Sequence, residues 1–316
     1  MFERISVPTP FQVGAVNAYR CGDTLVDPGP DSEEALSALQ AGLDGAGQSL
    51  SDVERVLITH PHPDHFGLAK RCREHGATVV ASAAAAPIVE DFPGRLDAEQ
   101  AYFQDFFESC GMSPTTARTV TGLPDAFAEY APSVAVDRRL DAGDTVTIGD
   151  TTADVVGVEG HAVGEIAIAY DEGDRREAIV GDTVLPTITP NPFLQPPPGP
   201  DADRPRVLPA YNESLSSLRA RSIDRMLPGH GDAVTDPAGR IDDILAANED
   251  RTEAVAAVVD DPTRPVTVMG ELFGDLPVTE QFSGMSEAVG HLDVLEARGR
   301  VRPVEIDGAL HYEPVE

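Results

Sequence analysis

Residues 58–69 read ITHPHPDHFGLA, with three histidines and an aspartate among positions 60 to 65, at the end of the apolar run RVLI. In an extended loop, residues two apart point to the same side, so His60 and His62 converge on one point. A turn into a following helix aims Asp64 and His65 at a neighbouring one. Imidazole and carboxylate suit zinc and other divalent transition metals. One loop supplies too few donors to close two sites, so further donors have to come from elsewhere in the chain.

The rest of the sequence offers them. His161 lies in GVEGHAVGEIAIAY, a turn between two strand-like runs; Asp182 ends EAIVGD; His230 lies in LPGHG after IDRML. Each sits at a strand end, where a rigid sheet presents its functional groups. His75, His291 and His311 have no such context. The surrounding pattern predicts short strands over FERISVP, VGAVNAYRC, TLVDPG, RVLIT and TVVAS, a helix over 32–43 capped by Ser32, and a helix over 65–75. Residues 83–131 read as a helical insertion. A second group of strands follows, in DTVTIG, TADVVGVEG, EIAIAY and EAIVGD. Residues 186–209 are too rich in proline for regular structure and read as a loop over a binding site, with Phe193 and Leu194 as candidate substrate contacts. Beyond them come helices near 238–260, 267–274 and 284–298, then two strands around Asp307-Gly308.

These residues resemble the metallo-β-lactamase superfamily, whose pattern is H-x-H-x-D-H followed by a distant His, Asp and His. The resemblance implies an α+β fold, an αββα sandwich with two sheets between helices. It implies that His60, His62 and His161 bind one metal, that Asp64, His65 and His230 bind a second, and that Asp182 bridges them. Asp27, in LVDPG, would support the metal loop without binding metal. The stretches GDTVLPTITPNP, LPGHG and HLDVLEARGRV are similar to the lactamase-beta-2-like branch. On that basis residues 1–244 are expected to form the metallo-β-lactamase domain and 245–316 a small winged-helix-like domain. The expected cofactor is two zinc ions, with iron or manganese as alternatives. Hydroxide held on the metals would be the nucleophile, oriented by Asp64 as catalytic carboxylate.

Substrate class is approached through leaving-group chemistry. A thioester expels a thiol of pKa about 8.5 and needs little general-acid help, whereas a phosphodiester expels a poorer leaving group. Acyl thioesters and related esters are therefore the first expectation. The alternatives are a metal-dependent endoribonuclease acting on single-stranded RNA, and a metal-sensing regulator that binds nucleic acid. Residues 240–316 hold 6 arginines against 17 acids, a formal −11, which disfavours nucleic acid as a partner. Over the whole chain the formal charge is −31, spread without blocks, and Lys70 is the single lysine. That balance fits a halophilic cytoplasm, where salt screens self-repulsion. Three scattered cysteines fit a reducing compartment. No secretory leader and no membrane span is expected, and a homodimer is compatible with the tail.

Overall fold

The computed structural model describes residues 1–199 and 201–315. Position 200 of the proline-rich segment and position 316 of the tail therefore lie outside the described residues. By contacts the chain divides into two compact units: 1–93, 126–190 and 214–241 form the first, and 94–125, 191–213 and 242–316 form the second.

The first unit holds two sheets. One has six strands in sequence order: β1 (Glu3–Val7), β2 (Val16–Cys21), β3 (Thr24–Val26), β4 (Arg55–Leu57), β5 (Thr78–Ser82) and β6 (Arg138–Leu140). Its first three strands are antiparallel and the rest parallel. The other sheet comprises β7 (Thr145–Ile148), β8 (Thr151–Gly157), β9 (Ile166–Glu172), β10 (Arg175–Ile179) and β11 (Arg225–Leu227), with β10 and β11 parallel. Tyr19, Val26, Leu57, Val80 and Leu140 of the first sheet share one buried core with Val155, Ile168, Tyr170, Ile179 and Leu227 of the second. The alternation of apolar side chains thus places the two sheets face to face.

Helix α1 (Glu33–Gly45) is capped as expected, Ser32 Oγ accepting from the Ala35 amide at 3.1 Å, and its Gly42 lets Ile5 of β1 approach. The helix predicted over 65–75 is instead two pieces, α2 (Pro63–Phe66) and α3 (Ala69–Glu74). The break has a physical reason. At Gly67 the backbone of Tyr130 and of Pro30–Asp31 crowds so close that a Cβ would lie 2.0 Å from the Tyr130 carbonyl oxygen. The Leu68 amide donates to the Gly29 carbonyl at 2.8 Å instead of continuing a helical ladder.

Residues 83–131 are helical as expected: α4 (Ala86–Glu90), α5 (Phe92–Ser109), α6 (Pro114–Gly122) and a 3₁₀ stretch over Leu123–Tyr130. Helix α7 (Val207–Ala220) follows the proline-rich segment. The tail then runs α8 (Pro237–Val258), α9 (Pro265–Phe273), α10 (Gln281–Ala297) and the hairpin β12 (Val301–Ile306) and β13 (Ala309–Pro314). Asp307 and Gly308, both at positive φ, make its two-residue turn. The tail is not a self-contained core. Phe103 and Phe107 of α5, Val120 of α6 and Leu194 are buried in one cluster with Val255, Val268, Met285, Leu292 and Tyr312. A boundary drawn near 245 follows the chain, but the compact second unit also takes in the middle of the insertion and much of the proline-rich segment.

Candidate metal centre

Every donor anticipated from the sequence lies just beyond the C-terminal end of a strand. His60, His62, Asp64 and His65 follow β4, His161 follows β8, Asp182 follows β10 and His230 follows β11. Main-chain bonds draw these ends together across the two sheets. The Ile166 amide donates to the Thr59 carbonyl at 2.9 Å, the Gly229 amide to the Gly181 carbonyl at 2.6 Å, and the Asn17 amide to the Gly229 carbonyl at 2.7 Å. Tyr19 Oη and Asn17 Nδ2 both donate to the Pro228 carbonyl, fixing the turn before His230.

Among the described residues three groups of three potential donors result: two consist of anticipated donors, and the third joins Asp27 to His60 and His65. The potential ligand atoms of His60, His62 and His161 lie within 4.8 Å of one another, and so do those of Asp64, His65 and His230. Within them His62 Nδ1 is 3.2 Å from His161 Nε2, and His230 Nε2 is 3.3 Å from Asp64 Oδ2. Asp182 faces both groups: Oδ1 is 3.6 Å from His65 Nε2, while Oδ2 is 3.5 Å from His230 Nε2 and 3.7 Å from His161 Nε2. Four donors around one zinc at 2.0–2.1 Å have edges of about 3.3 Å, so these separations fit a shared cation. Gly229 makes room for them, since a Cβ there would lie 2.2 Å from Asp182 Oδ1 and 2.6 Å from His65 Cε1.

The hydrogen bonds behind the cluster set the imidazole tautomers. His230 Nδ1 faces the Ala15 carbonyl at 2.9 Å and must donate to it. His65 Nδ1 faces Asp27 Oδ2 at 2.9 Å and donates likewise. Thr59 Oγ1 donates to Asp27 Oδ2 at 2.6 Å, which leaves its lone pair to accept from His60 Nδ1 at 3.0 Å. When neutral, all three rings therefore carry the proton on Nδ1 and the lone pair on Nε2. Those three Nε2 atoms, together with Asp182 Oδ1, are buried without a hydrogen-bond partner. Each such orphan costs about 1–3 kcal/mol unless something at the centre satisfies it, and a divalent cation does so.

Asp27, expected to support the metal loop, hydrogen-bonds Thr59 and His65. Adopting a left-handed φ of 50° after β3, it also accepts from the Thr59 amide at 2.8 Å. Electrostatics follow from burial and crowding. Burial, then the neighbouring histidines, hold His60 well below the usual imidazole range, and burial with His161 brings His62 down to about 3. Burial acts in the same sense on His65, but the carboxylates of Asp182, Asp64 and Asp27 outweigh it and raise that ring well above its ordinary value. His230 is raised likewise, burial being overcome by Asp64 and Asp182. Burial would raise Asp64 and Asp182, yet His65 and His230 hold both below the ordinary carboxylate value.

The two candidate substrate contacts fall in the second unit. Leu194 is spent in its hydrophobic core, its amide donating to Ser286 Oγ, and Phe193 is half-buried with its ring 6.2 Å from that of Phe282. Leu194 is thus a packing residue, because its side chain is buried and the stretch beside it is tied to α10 by Asn191 Nδ2 and the Leu194 amide. Sequence patterning alone does not single out Glu165, which is buried beside His60 and Asp182. An acid directly before the apolar strand IAIAY, four residues after His161, was the available signal.

With the donors placed, kinship can be assigned. The family model described as the metallo-beta-lactamase superfamily matches residues 14–230. The chain belongs to the metallo-beta-lactamase superfamily. It is 32% identical over 297 residues to the probable metallo-hydrolase YqjP of Bacillus subtilis (strain 168), covering 93% of this chain and 91% of that one. A 62-residue stretch is 47% identical to the hydroxyacylglutathione hydrolase of Hyphomonas neptunium, spanning 20% of this chain and 23% of that protein. In fold, it is similar to the crystal structure of the metallo-beta-lactamase family protein TTHA1429 from Thermus thermophilus, with a TM-score of 0.80 at 23% identity over 99% of this chain and 98% of the other. As a superfamily member the protein is a hydrolase with a His/Asp site able to hold metal.

Proposed function

We propose that the protein is a dinuclear zinc hydrolase of acyl thioesters or related esters. The observation that carries this reading is Asp182, whose carboxylate faces His65 through Oδ1 and His230 and His161 through Oδ2, so that it meets a member of each donor group. On this reading His60, His62 and His161 hold one ion, Asp64, His65 and His230 the other, and Asp182 lies between. Such ions, when bound, polarise the scissile carbonyl and lower the pKa of water toward neutrality. The chain's own part is to hold and orient. Asp27, Thr59 and the Ala15 carbonyl keep three imidazole lone pairs aimed at one centre. Asp64, 3.3 Å from His230 Nε2, would on this reading orient the attacking water. A departing thiolate needs no further acid from the chain.

The acyl chemistry in the name of the Hyphomonas relative supports this substrate class. RNA cleavage is disfavoured by how the arginines are spent. Arg139 pairs with Glu90, Arg176 with Asp154 and Asp171, Arg204 with Asp293, Arg206 with Glu296 and Arg225 with Glu177. In the tail Arg298, Arg300 and Arg302 pair with Glu249, Glu253 and Glu313. A phosphate backbone would have to displace these acids. The deciding assay is thiol release from a panel of acyl thioesters at high salt, comparing zinc-loaded protein with Asp182→Ala. Turnover abolished in the variant is expected. Absence of turnover on every thioester in fully loaded protein overturns the substrate class, and single-stranded RNA is then the next substrate to assay.

A further inference from the structure

A buried acid outside both donor groups stands behind the centre. We propose that Glu165 is a positioning residue for the metal site, anchoring the loop that carries Asp182 and backing the ring of His60. The inference rests on the metal reading above and adds a residue to it.

Glu165 is 1% exposed and directly precedes β9. Its Oε1 accepts from the Asp182 amide at 3.0 Å and lies 4.0 Å from His60 Nδ1. The carboxyl is thus tied to the main chain of the Asp182 loop itself. Gly181 completes the clamp. Its φ is +48°, and a Cβ there would lie 2.8 Å from Glu165 Oε1, 3.0 Å from Thr59 Oγ1 and 3.3 Å from His60 Nδ1. The chain thus passes so close over the carboxyl that only a residue without a side chain fits, which leaves Asp182 little freedom to turn.

That restriction matters because Asp182 faces both donor groups, so a small rotation of its backbone misplaces a ligand in each. Burying a carboxyl away from water is costly unless its oxygens are hydrogen-bonded, and here Oε1 accepts from the Asp182 amide. Asp27 plays the matching part on the other sheet, bracing His65 directly and His60 through Thr59. Two buried acids, one from each sheet, then hold the donors from behind.

The test replaces Glu165 by Met, which keeps the volume and removes the acceptor, and by Gln, which keeps an oxygen for the Asp182 amide. Co(II) is titrated into each metal-free protein by chelator competition, and the visible spectrum of the bound ion is recorded. E165M is expected to bind Co(II) about 10–100-fold more weakly, with altered bands, while E165Q retains wild-type affinity and spectrum. Wild-type binding by E165M, or a loss in E165Q as large as in E165M, overturns the proposal. Should E165M fail to fold, Glu165→Asp withdraws the acceptor without removing the acid: weakened Co(II) binding supports the role, and unchanged binding refutes it. Wild-type protein that takes up no Co(II) refutes the metal reading itself, a result distinguishable from a tightly binding E165M.

Discussion

His60, His65 and His230 each use Nδ1 to brace the ring, leaving Nε2 unsatisfied at the centre. Replacing Asp27 by Ala removes the acceptor of the His65 brace, of the Thr59 hydroxyl that braces His60, and of the Thr59 amide. Metal affinity is expected to fall about 10–100-fold, and the metal-free fold to lose about 1–3 kcal/mol, measured by chelator competition and urea denaturation. The same residues set the pH response. His65 and His230 have raised values in the folded chain, so without metal they hold protons that compete with it. As pH falls through those raised values, protons displace the ion. Metal affinity should therefore weaken with falling pH from above the ordinary histidine value of about 6.5, and binding at neutral pH should release protons. Calorimetry in two buffers of different ionisation enthalpy measures that release, and a buffer-independent heat would contradict it.

Among the elements, the α2–α3 break decides how the metal loop is seated. Gly67→Ala would drive a methyl into the Tyr130 carbonyl, and the expected cost is about 1–3 kcal/mol in thermal or urea unfolding. The tail poses a different question. Its helices and hairpin were legible from periodicity and from the Asp-Gly turn, yet its core borrows Phe103 and Phe107 from α5. Residues 245–316 expressed alone should accordingly show no cooperative thermal transition, by circular dichroism, while adding back the rest of the chain restores one. A sharp transition in the isolated tail would show that those aromatics are dispensable. The same aromatics explain why the insertion's apolar face is packing surface: Phe103 lies 5.2 Å and Phe107 5.3 Å from Phe282, ring to ring.

For the whole molecule, the formal charge of −31 is the dominant feature. Carboxylates spread over the surface repel one another over about 10 Å at 0.1 M salt and about 3 Å at 1 M. The melting temperature is therefore expected to rise steeply with KCl between those concentrations, and a salt-independent transition would argue against a halophilic setting. Among the described residues no helix is long and apolar enough to cross a membrane.

What the sequence determined alone was the donor set and its scaffold. Three histidines and an aspartate in HPHPDH, with His161, Asp182 and His230 at later strand ends, read as one set of candidate donors, which the resemblance to the metallo-β-lactamase superfamily divides between two sites. Strand and helix periods follow from local side-chain patterning, so most elements were readable too. Tertiary structure decided what depends on contacts between distant segments. Glu165 reads as an ordinary acid until the Asp182 loop closes over it, and Leu194 reads as a loop tip until Ser286 and the aromatic core enclose it. Gly67 reads as a helical residue until the Tyr130 backbone arrives. In each case the deciding force is burial or collision with a residue far along the chain, and no local pattern encodes it.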